Sequence, residues 1–354
     1  MRTSEIKILR LLLYPLVPFY WLVISVRNFL FDKSVFRALS VGTAVISVGN
    51  ISVGGSGKTP LVIYLTNMLK NNGIKVGVLS RGYGRSTKGF LQVSDGKNIL
   101  TDVEQCGDEI YHTVIECKVP AAVSENRVKG ADELIRKTGV NAIVLDDAFQ
   151  HRWIKRDIDI VLIEQKWMIE NSLSNRLLLP AGNLREPLDS LKRADIIVLN
   201  RKFSEKENIP AEFLNTLKGK KIFTAYYKAD AFVELATKKR FGLKEFEGQK
   251  SLVVSGIANP YSFLNALKKT RVDTENRMIF RDHKQYTLKE VQNIRRQFYQ
   301  TNSHSVVTTE KDAVKLMKYA YELDDIDVFY LKINMNFDDE TDFNNYILSE
   351  LKQT

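Results

Sequence analysis

The 354-residue sequence predicts an α/β protein with a doubly wound, mostly parallel sheet. Short apolar runs rich in β-branched residues recur along the chain, and helix-like stretches lie between several of them. A glycine-rich turn joins the first run to an amphipathic helix. Strands that are apolar on both faces and alternate with helices are typical of parallel sheets covered by helices on both sides.

The first set of strands is predicted at Ala44–Val48, Lys75–Leu79, Ala142–Leu145, Ile158–Ile163 and Ile196–Leu199. Helices are expected at Leu61–Lys70 and Val128–Lys137, between members of this set. At roughly 150 residues per domain, the chain is long enough for about two domains.

A second, smaller set predicts a second α/β domain. Its strands are expected at Leu252–Ser255, Arg277–Phe280 and Ser305–Thr309, and its helix at Thr287–Phe298 begins with a capping-box pattern. The charged stretch Lys238–Lys250 between the two sets is expected to form the surface of a domain boundary. The strand-like run Asp327–Ile333 is expected to carry the chain back towards the first domain.

Composition narrows the class of protein. The chain is 44% hydrophobic and 27% charged, which describes a globular protein and excludes a disordered one. Two cysteines without a C-x-x-C pattern exclude a disulfide framework and a cysteine-rich zinc site, and they suit a reducing compartment. The net charge of +10 favours an acidic partner: nucleic acid, an anionic membrane surface or a phosphorylated small molecule.

An apolar segment near the N-terminus is predicted to form a membrane-interface helix. Residues 11–26 are an uncharged, largely apolar run between Arg10 and Arg27, shorter than the roughly 20 residues that a spanning helix needs and interrupted by two prolines. Residues 1–43 carry a local excess of four positive charges, which suits an anionic lipid surface. A buried core helix is the alternative. Basic residues after the run and the lack of a clear cleavage site argue against a secretory signal.

The strongest chemical signal is a phosphate loop between the first strand and its helix. Glycines there allow the positive φ angles that turn backbone N–H groups towards phosphate oxygens, and the helix N-terminus adds partial positive charge. A flexible glycine-serine turn is the alternative, and Ser52 departs from the strict G-x-x-x-x-G-K-[ST] pattern. The loop predicts a nucleoside triphosphate ligand. The residues predicted to bind its phosphates are Gly54, Gly55, Ser56, Gly57, Lys58 and Thr59.

Two acids fit this loop. Asp146 and Asp147 end an apolar strand, as expected of a Walker B element that holds Mg²⁺ together with the Thr59 hydroxyl. A solvated turn is the alternative. Both motifs are expected at carboxyl ends of parallel strands, where ligands bind in doubly wound sheets.

Three other residues stay ambiguous on their own. Asp108 follows a glycine and precedes another acid, which is also a common helix start. His151 and His283 are two of only four histidines, and an isolated histidine is more often structural than catalytic. We assign nothing to His112 and His304.

Taken together, these motifs resemble those of the tetraacyldisaccharide 4′-kinases, which make lipid A in Gram-negative bacteria. That family has a hydroxyl residue where this chain has Ser52. Ala148 and Asn183 stand where it has glycine and often proline, which puts only the backbone of the acid loop in question. The matching segments run in the family's order: Ser47–Pro60, Ser80–Gly84, Gly107–Glu109, Leu145–His151, Leu179–Pro187, Phe280–His283 and Thr309–Asp312.

The resemblance implies two α/β domains with the nucleotide between them, and a membrane-binding N-terminal segment. The domains are expected at 41–225 and 226–334, with 1–40 as the membrane-interface segment and 335–354 returning to the first domain. The implied reaction transfers the γ-phosphoryl group of ATP to the 4′-hydroxyl of an acylated glucosamine disaccharide 1-phosphate, giving lipid IV-A. We expect a monomer on the cytoplasmic face of the inner membrane, bound to its lipid substrate and an anionic surface, without nucleic acid.

The resemblance also assigns roles to residues. Asp108 is the expected proton acceptor and His283 its partner on the second domain, while Arg185 stabilises the transferred charge or binds the acceptor. Lys58 completes the expected catalytic set. The expected metal ligands are Thr59, Asp146, Asp147 and Glu109, and further candidates for the site are Gln150, His151, Arg127 and Glu186.

Three other classes of protein share some of these features but fit the sequence less well. A metallochaperone or GTPase-like switch would share the phosphate loop, but the guanine-reading N-K-x-D is absent and Thr309–Asp312 has Glu for Asn. A nucleic-acid motor is expected to show basic and aromatic residues in a groove, not an apolar N-terminal run. A membrane-docking module without catalysis leaves the phosphate loop and the ordered acids unexplained.

Overall fold

The computed structural model describes residues 12–170, 172–282 and 284–352. Within these residues, thirteen strands form one large, mostly parallel sheet, which confirms the predicted α/β architecture. Their order across the sheet is β11-β10-β12-β13-β8-β7-β6-β1-β5-β2-β4-β3, with β9 paired to β8. In chain order the strands are β1 (Ala44–Gly49), β2 (Val76–Ser80), β3 (Leu91–Asp95), β4 (Pro120–Val123), β5 (Ala142–Asp146), β6 (Ile158–Glu164), β7 (Ile196–Asn200), β8 (Lys221–Glu234), β9 (Arg240–Phe241), β10 (Ser251–Ser255), β11 (Arg277–Ile279), β12 (Ser305–Thr309) and β13 (Val328–Phe337).

Helices cover both faces of this sheet. On β1, Ile46 and Val48 pack into the core beneath the helix that follows the phosphate loop, while Val45 packs into the core on the opposite face. The α-helices are α1 (Val17–Asp32), α2 (Lys58–Asn71), α3 (Val103–Cys106), α4 (Asp108–Cys117), α5 (Arg127–Thr138), α6 (Gln165–Ile169), α7 (Leu173–Arg176), α8 (Ala211–Thr216), α9 (Pro260–Lys269), α10 (Leu288–Gln300), α11 (Glu310–Leu316) and α12 (Glu340–Lys352).

The predicted strands are all present, and all but one of their ends lie within one residue of the prediction. The last one continues to Phe337 instead of ending at Ile333. The helix predicted at Leu61–Lys70 already begins at Lys58, because the phosphate loop leads directly into its first turn. Strands β3, β4, β8 and β9 were not predicted from the sequence.

The two sets of strands meet at β8. This strand runs parallel to β7 and antiparallel to β13, so it joins both sets into one sheet. The stretch Lys238–Lys250, expected as boundary surface, also contributes to a core. It contains β9, which pairs with β8, and Phe246, which is buried and stacks on Phe232 with ring centroids 4.1 Å apart.

The N-terminal apolar run becomes α1, preceded by a 3₁₀ turn at Tyr14–Leu16. Its second residue is Pro18, which fits the first helical turn because the missing N–H has no partner there in any case. Pro15 lies in the 3₁₀ turn and Pro18 in the first turn of α1, so neither proline breaks the helix. No helix in the described part of the chain combines the length and apolarity needed to cross a membrane.

Candidate active site

The predicted phosphate loop lies between β1 and α2. Gly54 and Gly57 have positive φ angles of 107° and 102°, the backbone conformations for which the sequence predicted glycine. Ser56 is buried in the loop: its hydroxyl accepts from Asn50 Nδ2 at 3.0 Å, and its carbonyl accepts from Asn200 Nδ2 at 2.9 Å. These contacts hold the loop in a fixed shape next to the end of the sheet.

Strand register places the acid pair beside this loop. In the parallel pair β1–β5, Val48 lies opposite Asp146, so the strand that enters the loop and the strand that ends in the acids finish side by side. Asp147 then takes a positive φ of 50°, and its carboxylate lies 3.6 Å from Lys58 Nζ and 2.8 Å from Arg185 Nη1. Burial opposes ionisation of Asp147, but Lys58 and Arg185 outweigh it and lower its pKa.

Asp146 differs from its neighbour. It is buried, and its Oδ1 atom has no hydrogen-bond partner among the described residues. Burial raises its pKa, and the nearby carboxylates of Glu109 and Asp147 raise it further, although Lys58 and Arg127 act in the opposite direction. A buried carboxylate with an unpartnered oxygen, beside two other acids, is a donor set that suits Mg²⁺.

The loop, Asp147 and Arg185 line a cleft of about 760 Å³, whereas the buried carboxylates of Asp146 and Asp108 are not on its wall. The whole loop from Gly54 to Thr59 lines it, and residues 257–259, 262 and 263 and residues 309–311 line the opposite side. The other predicted site residues on its wall are Glu109, Arg127, Asp147, Gln150, His151 and Arg185. The cleft is therefore large enough for a nucleotide and is lined by both sets of strands and their loops.

Asp108 begins α4 and is buried, with Oδ2 lying 3.5 Å from Lys315 Nζ and 3.8 Å from Lys311 Nζ. Both lysines are on α11, so the contact joins the two halves of the sheet. Burial alone would lower the pKa of Lys311, but Glu109, at 3.3 Å, and Asp108 raise it. His283, the predicted partner of Asp108, lies outside the described residues.

The further candidates occupy different positions. Gln150 Nε2 donates to the Asn50 carbonyl at 2.8 Å, so it braces the start of the loop. Burial, with Arg127 as a second cause, lowers the pKa of His151 to about 4. Arg127 is itself buried and donates to the Ser124 carbonyl at 2.7 Å. Glu186 is fully buried behind Arg185 and does not line the cleft.

Several residues at this site were not predicted from the sequence. Lys311 and Asn50 lie within matching segments but received no role, whereas Lys315 and Asn200 carried no local signal. His112, to which no role was assigned, lies 3.9 Å from Glu310 at the junction of α4 and α11. Burial lowers the pKa of His112 to about 4, while burial and Glu116 raise the pKa of Glu310 to about 8.

Comparisons with known proteins agree with one another. A family model described as tetraacyldisaccharide-1-P 4′-kinase matches residues 9–352. The chain is 36% identical over 335 residues to the tetraacyldisaccharide 4′-kinase of Chlorobium limicola, an alignment that covers 92% of this chain and 93% of that protein. It is 37% identical over 328 residues to the enzyme of the same name from Halothermothrix orenii, covering 88% of this chain and 84% of the relative.

A solved structure is also similar along nearly the whole chain. The "apo" form of LpxK from Aquifex aeolicus in complex with ATP superposes with a TM-score of 0.79 at 32% sequence identity. The match covers 97% of this chain and 99% of that one.

Proposed function

The chain belongs to the tetraacyldisaccharide-1-P 4′-kinase family, and from this premise we propose how its cleft performs the reaction. The enzyme transfers the γ-phosphoryl group of ATP to the 4′-hydroxyl of a tetraacylated glucosamine disaccharide 1-phosphate in lipid A biosynthesis. The observation that carries the site assignment is the position of Asp147, which contacts Lys58 of the phosphate loop and Arg185 together. Two cations at one end of a phosphate loop suit a transferring phosphoryl group.

The residues divide the work of this transfer. The acceptor oxygen forms the new bond to the γ-phosphorus, Asp108 takes the hydroxyl proton, and the bond to the β–γ bridging oxygen breaks to release ADP. Lys58 and Arg185 stabilise the charge that spreads over the phosphoryl oxygens. Lys311 and Lys315 orient the Asp108 carboxylate through the contacts described above. His283 is proposed to tune when Asp108 accepts the proton.

Four residues are proposed to hold Mg²⁺: Thr59, Asp146, Asp147 and Glu109. Two observations support this assignment: Oδ1 of Asp146 has no hydrogen-bond partner in the described part of the chain, and the carboxylates of Glu109 and Asp147 raise the pKa of Asp146. When bound, Mg²⁺ would supply positive charge that neutralises the phosphate oxygens. Lys58 and Arg185 offset the negative charge of these carboxylates and lower the pKa of Asp147.

The test is transfer of labelled γ-phosphate from ATP to a tetraacylated disaccharide 1-phosphate in detergent micelles. Lys58→Ala should lower turnover by a factor of about 10² or more, because it removes a charge directed at the transferring group. Lys70→Ala is the matched control: Lys70 lies at the other end of α2 and donates to the Cys117 carbonyl. Equal turnover in both variants would contradict the phosphate-loop assignment.

We also propose that α1 lies in the interface of the inner membrane, on its cytoplasmic face. Its exposed apolar side chains support this: Phe19, Trp21, Leu22, Val23, Val26 and Phe29 are each about half exposed or more. Washing membranes distinguishes the modes of attachment. Retention in high salt until detergent is added would support insertion, whereas complete release by salt alone would mean that electrostatics dominate.

Finer features of the fold are proposed on the same basis. The division into a phosphate-loop domain at 41–225 and a smaller α/β domain at 226–334 is supported by separate core clusters on the two halves of the sheet. The proposed return of 335–354 to the first domain is supported by Phe343 and Ile347 of α12, which pack in the same core as Leu61 of α2. The monomeric state is part of the same proposal.

A further inference from the structure

Helix α1 is fastened to the loop that carries Arg185. The Tyr20 hydroxyl donates to the Arg185 carbonyl at 2.9 Å. Arg27 Nη2 lies 2.9 Å from Glu186 Oε1, and Asn28 Nδ2 donates to Glu186 Oε2 at 3.1 Å. All three contacts come from α1, and all end on two consecutive residues, so the helix and this loop are held as one unit.

Glu186 is the centre of this attachment. Its side chain is 0% exposed, and it also pairs with Arg193 at 2.8 Å. A buried carboxylate destabilises a protein strongly unless it is paired, and here Arg27 and Arg193 provide the pairing. Removing the charge of Glu186 would leave both arginines without their anionic partner. Burial opposes its ionisation, but Arg193 and Arg27 outweigh this and lower the pKa of Glu186.

The same loop is paired with the phosphate loop on its other side. The Arg185 backbone N–H donates to the Ile51 carbonyl at 2.7 Å, and Val53 N–H donates to the Asn183 carbonyl at 2.7 Å. Arg185 Nη1 then reaches Asp147 at 2.8 Å and Asn50 Oδ1 at 3.2 Å. An unbroken series of short contacts therefore runs from α1 through Glu186 and Arg185 to the acid pair.

One helix thus serves two surfaces. The face with Phe19, Leu22 and Val23 is exposed and apolar, whereas Tyr20, Arg27 and Asn28 hold the Arg185 loop. A hydrogen-bonded helix of sixteen residues is a rigid element, so a shift of α1 would be passed on to the loop that it holds.

We propose that Glu186 is a positioning residue for phosphoryl transfer, which locks Arg185 to the membrane-interface helix so that seating of α1 on lipid sets Arg185 against the phosphate loop. This inference rests on the proposed function, because it takes Arg185 to act on the transferred group or the acceptor. It adds a task to α1 beyond attachment: the helix also sets the geometry of the site.

The experiment measures kcat and KM for ATP with the lipid acceptor in micelles, for Glu186→Gln, Tyr20→Phe and Arg185→Ala. Glu186→Gln should lower kcat about threefold to thirtyfold and leave KM for ATP nearly unchanged, since it acts only through Arg185. The double variant Glu186→Gln/Arg185→Ala should be no slower than Arg185→Ala alone. Asp32→Asn is the matched control. It loses a pair with Arg152 at 2.7 Å at the last residue of α1, where the Asp32 side chain is more than half exposed, and should keep wild-type kcat.

Each kinetic result either supports or overturns the positioning role of Glu186. Additive losses in the double variant, or an equal loss in Asp32→Asn, would overturn the positioning role. If Glu186→Gln does not fold, Tyr20→Phe decides, because it removes one hydrogen bond to the Arg185 backbone: lower kcat supports the proposal and unchanged kcat overturns it. If Arg185→Ala itself keeps full turnover, the role given to Arg185 under the proposed function is wrong, whereas the Lys58 test of that function is unaffected.

Discussion

Replacing Gly57 with alanine is expected to destabilise the phosphate loop and weaken ATP binding. A φ of +102° at this position costs a residue with a side chain about 1–3 kcal/mol. A Cβ there would also overlap the hydroxyl of Tyr227 and the amide of Asn200, which hydrogen bond to each other at 3.0 Å. Losing that bond and the Asn200 bond to Ser56 costs about 1 kcal/mol each. The free energy of unfolding should fall by about 3–5 kcal/mol.

A thermal melt with and without ATP measures this effect. At about 2.1 cal/mol/K per residue, 354 residues give an unfolding entropy of about 0.7 kcal/mol/K, so Tm should fall by about 4–7 °C. Gly55→Ala is the matched control, because its φ is not positive and its Cβ meets nothing nearer than Ala258 at 3.7 Å. Gly55→Ala should therefore keep the wild-type Tm. A Gly57→Ala protein with wild-type Tm and wild-type Kd for ATP would refute the reasoning.

Three further predictions follow from the site and its surroundings. Asp108→Ala and His283→Ala should each lose most of kcat, with little further loss in the double variant and a similar KM for ATP; additive losses that track Tm would instead mean two structural roles. Deleting residues 1–30 should lower membrane retention and turnover but leave the Kd for ATP unchanged, as measured by sedimentation with vesicles and by calorimetry. Burial raises the pKa of Glu310 to about 8. The stability that the protonated Glu310 contributes is therefore fully present below about pH 4.5 and is lost as the pH rises through about 8. Glu310→Gln should remove that loss, worth up to a few kcal/mol, from urea titrations across this range; an unchanged pH slope would contradict the raised pKa. His112 contributes in the opposite sense, since its lowered pKa makes stability fall as the pH drops from about 6.5 through about 4.

Local chemistry made the centre of this site predictable from the sequence. The phosphate loop is contiguous, and its positive φ angles require glycine at positions that can be read one by one, as Gly54 and Gly57 show. The acid pair was predictable because the apolar run of a buried strand changes abruptly to two charged residues where the strand ends. Parallel register then places Asp146 opposite Val48. Apolar strands alternating with helices likewise predicted the mostly parallel sheet.

Contacts between distant segments could not be predicted in this way. The join between β8 and β13 depends on pairing residues about a hundred positions apart, and β8 itself was not identified. Lys315 reaches Asp108 across more than two hundred residues, and its own neighbourhood in the sequence gives no sign of this.

The same holds for the attachment of α1 to Glu186. The apolar run predicted an interface helix, but a hydrophobic pattern describes only the apolar face of a helix, which in α1 is the exposed one. The contacts of Tyr20, Arg27 and Asn28 with the Arg185 loop exist because the fold brings residues about 160 positions apart together. Local backbone preference and hydrophobic periodicity thus determined the elements and the phosphate loop, while only tertiary packing decided which charged groups meet there.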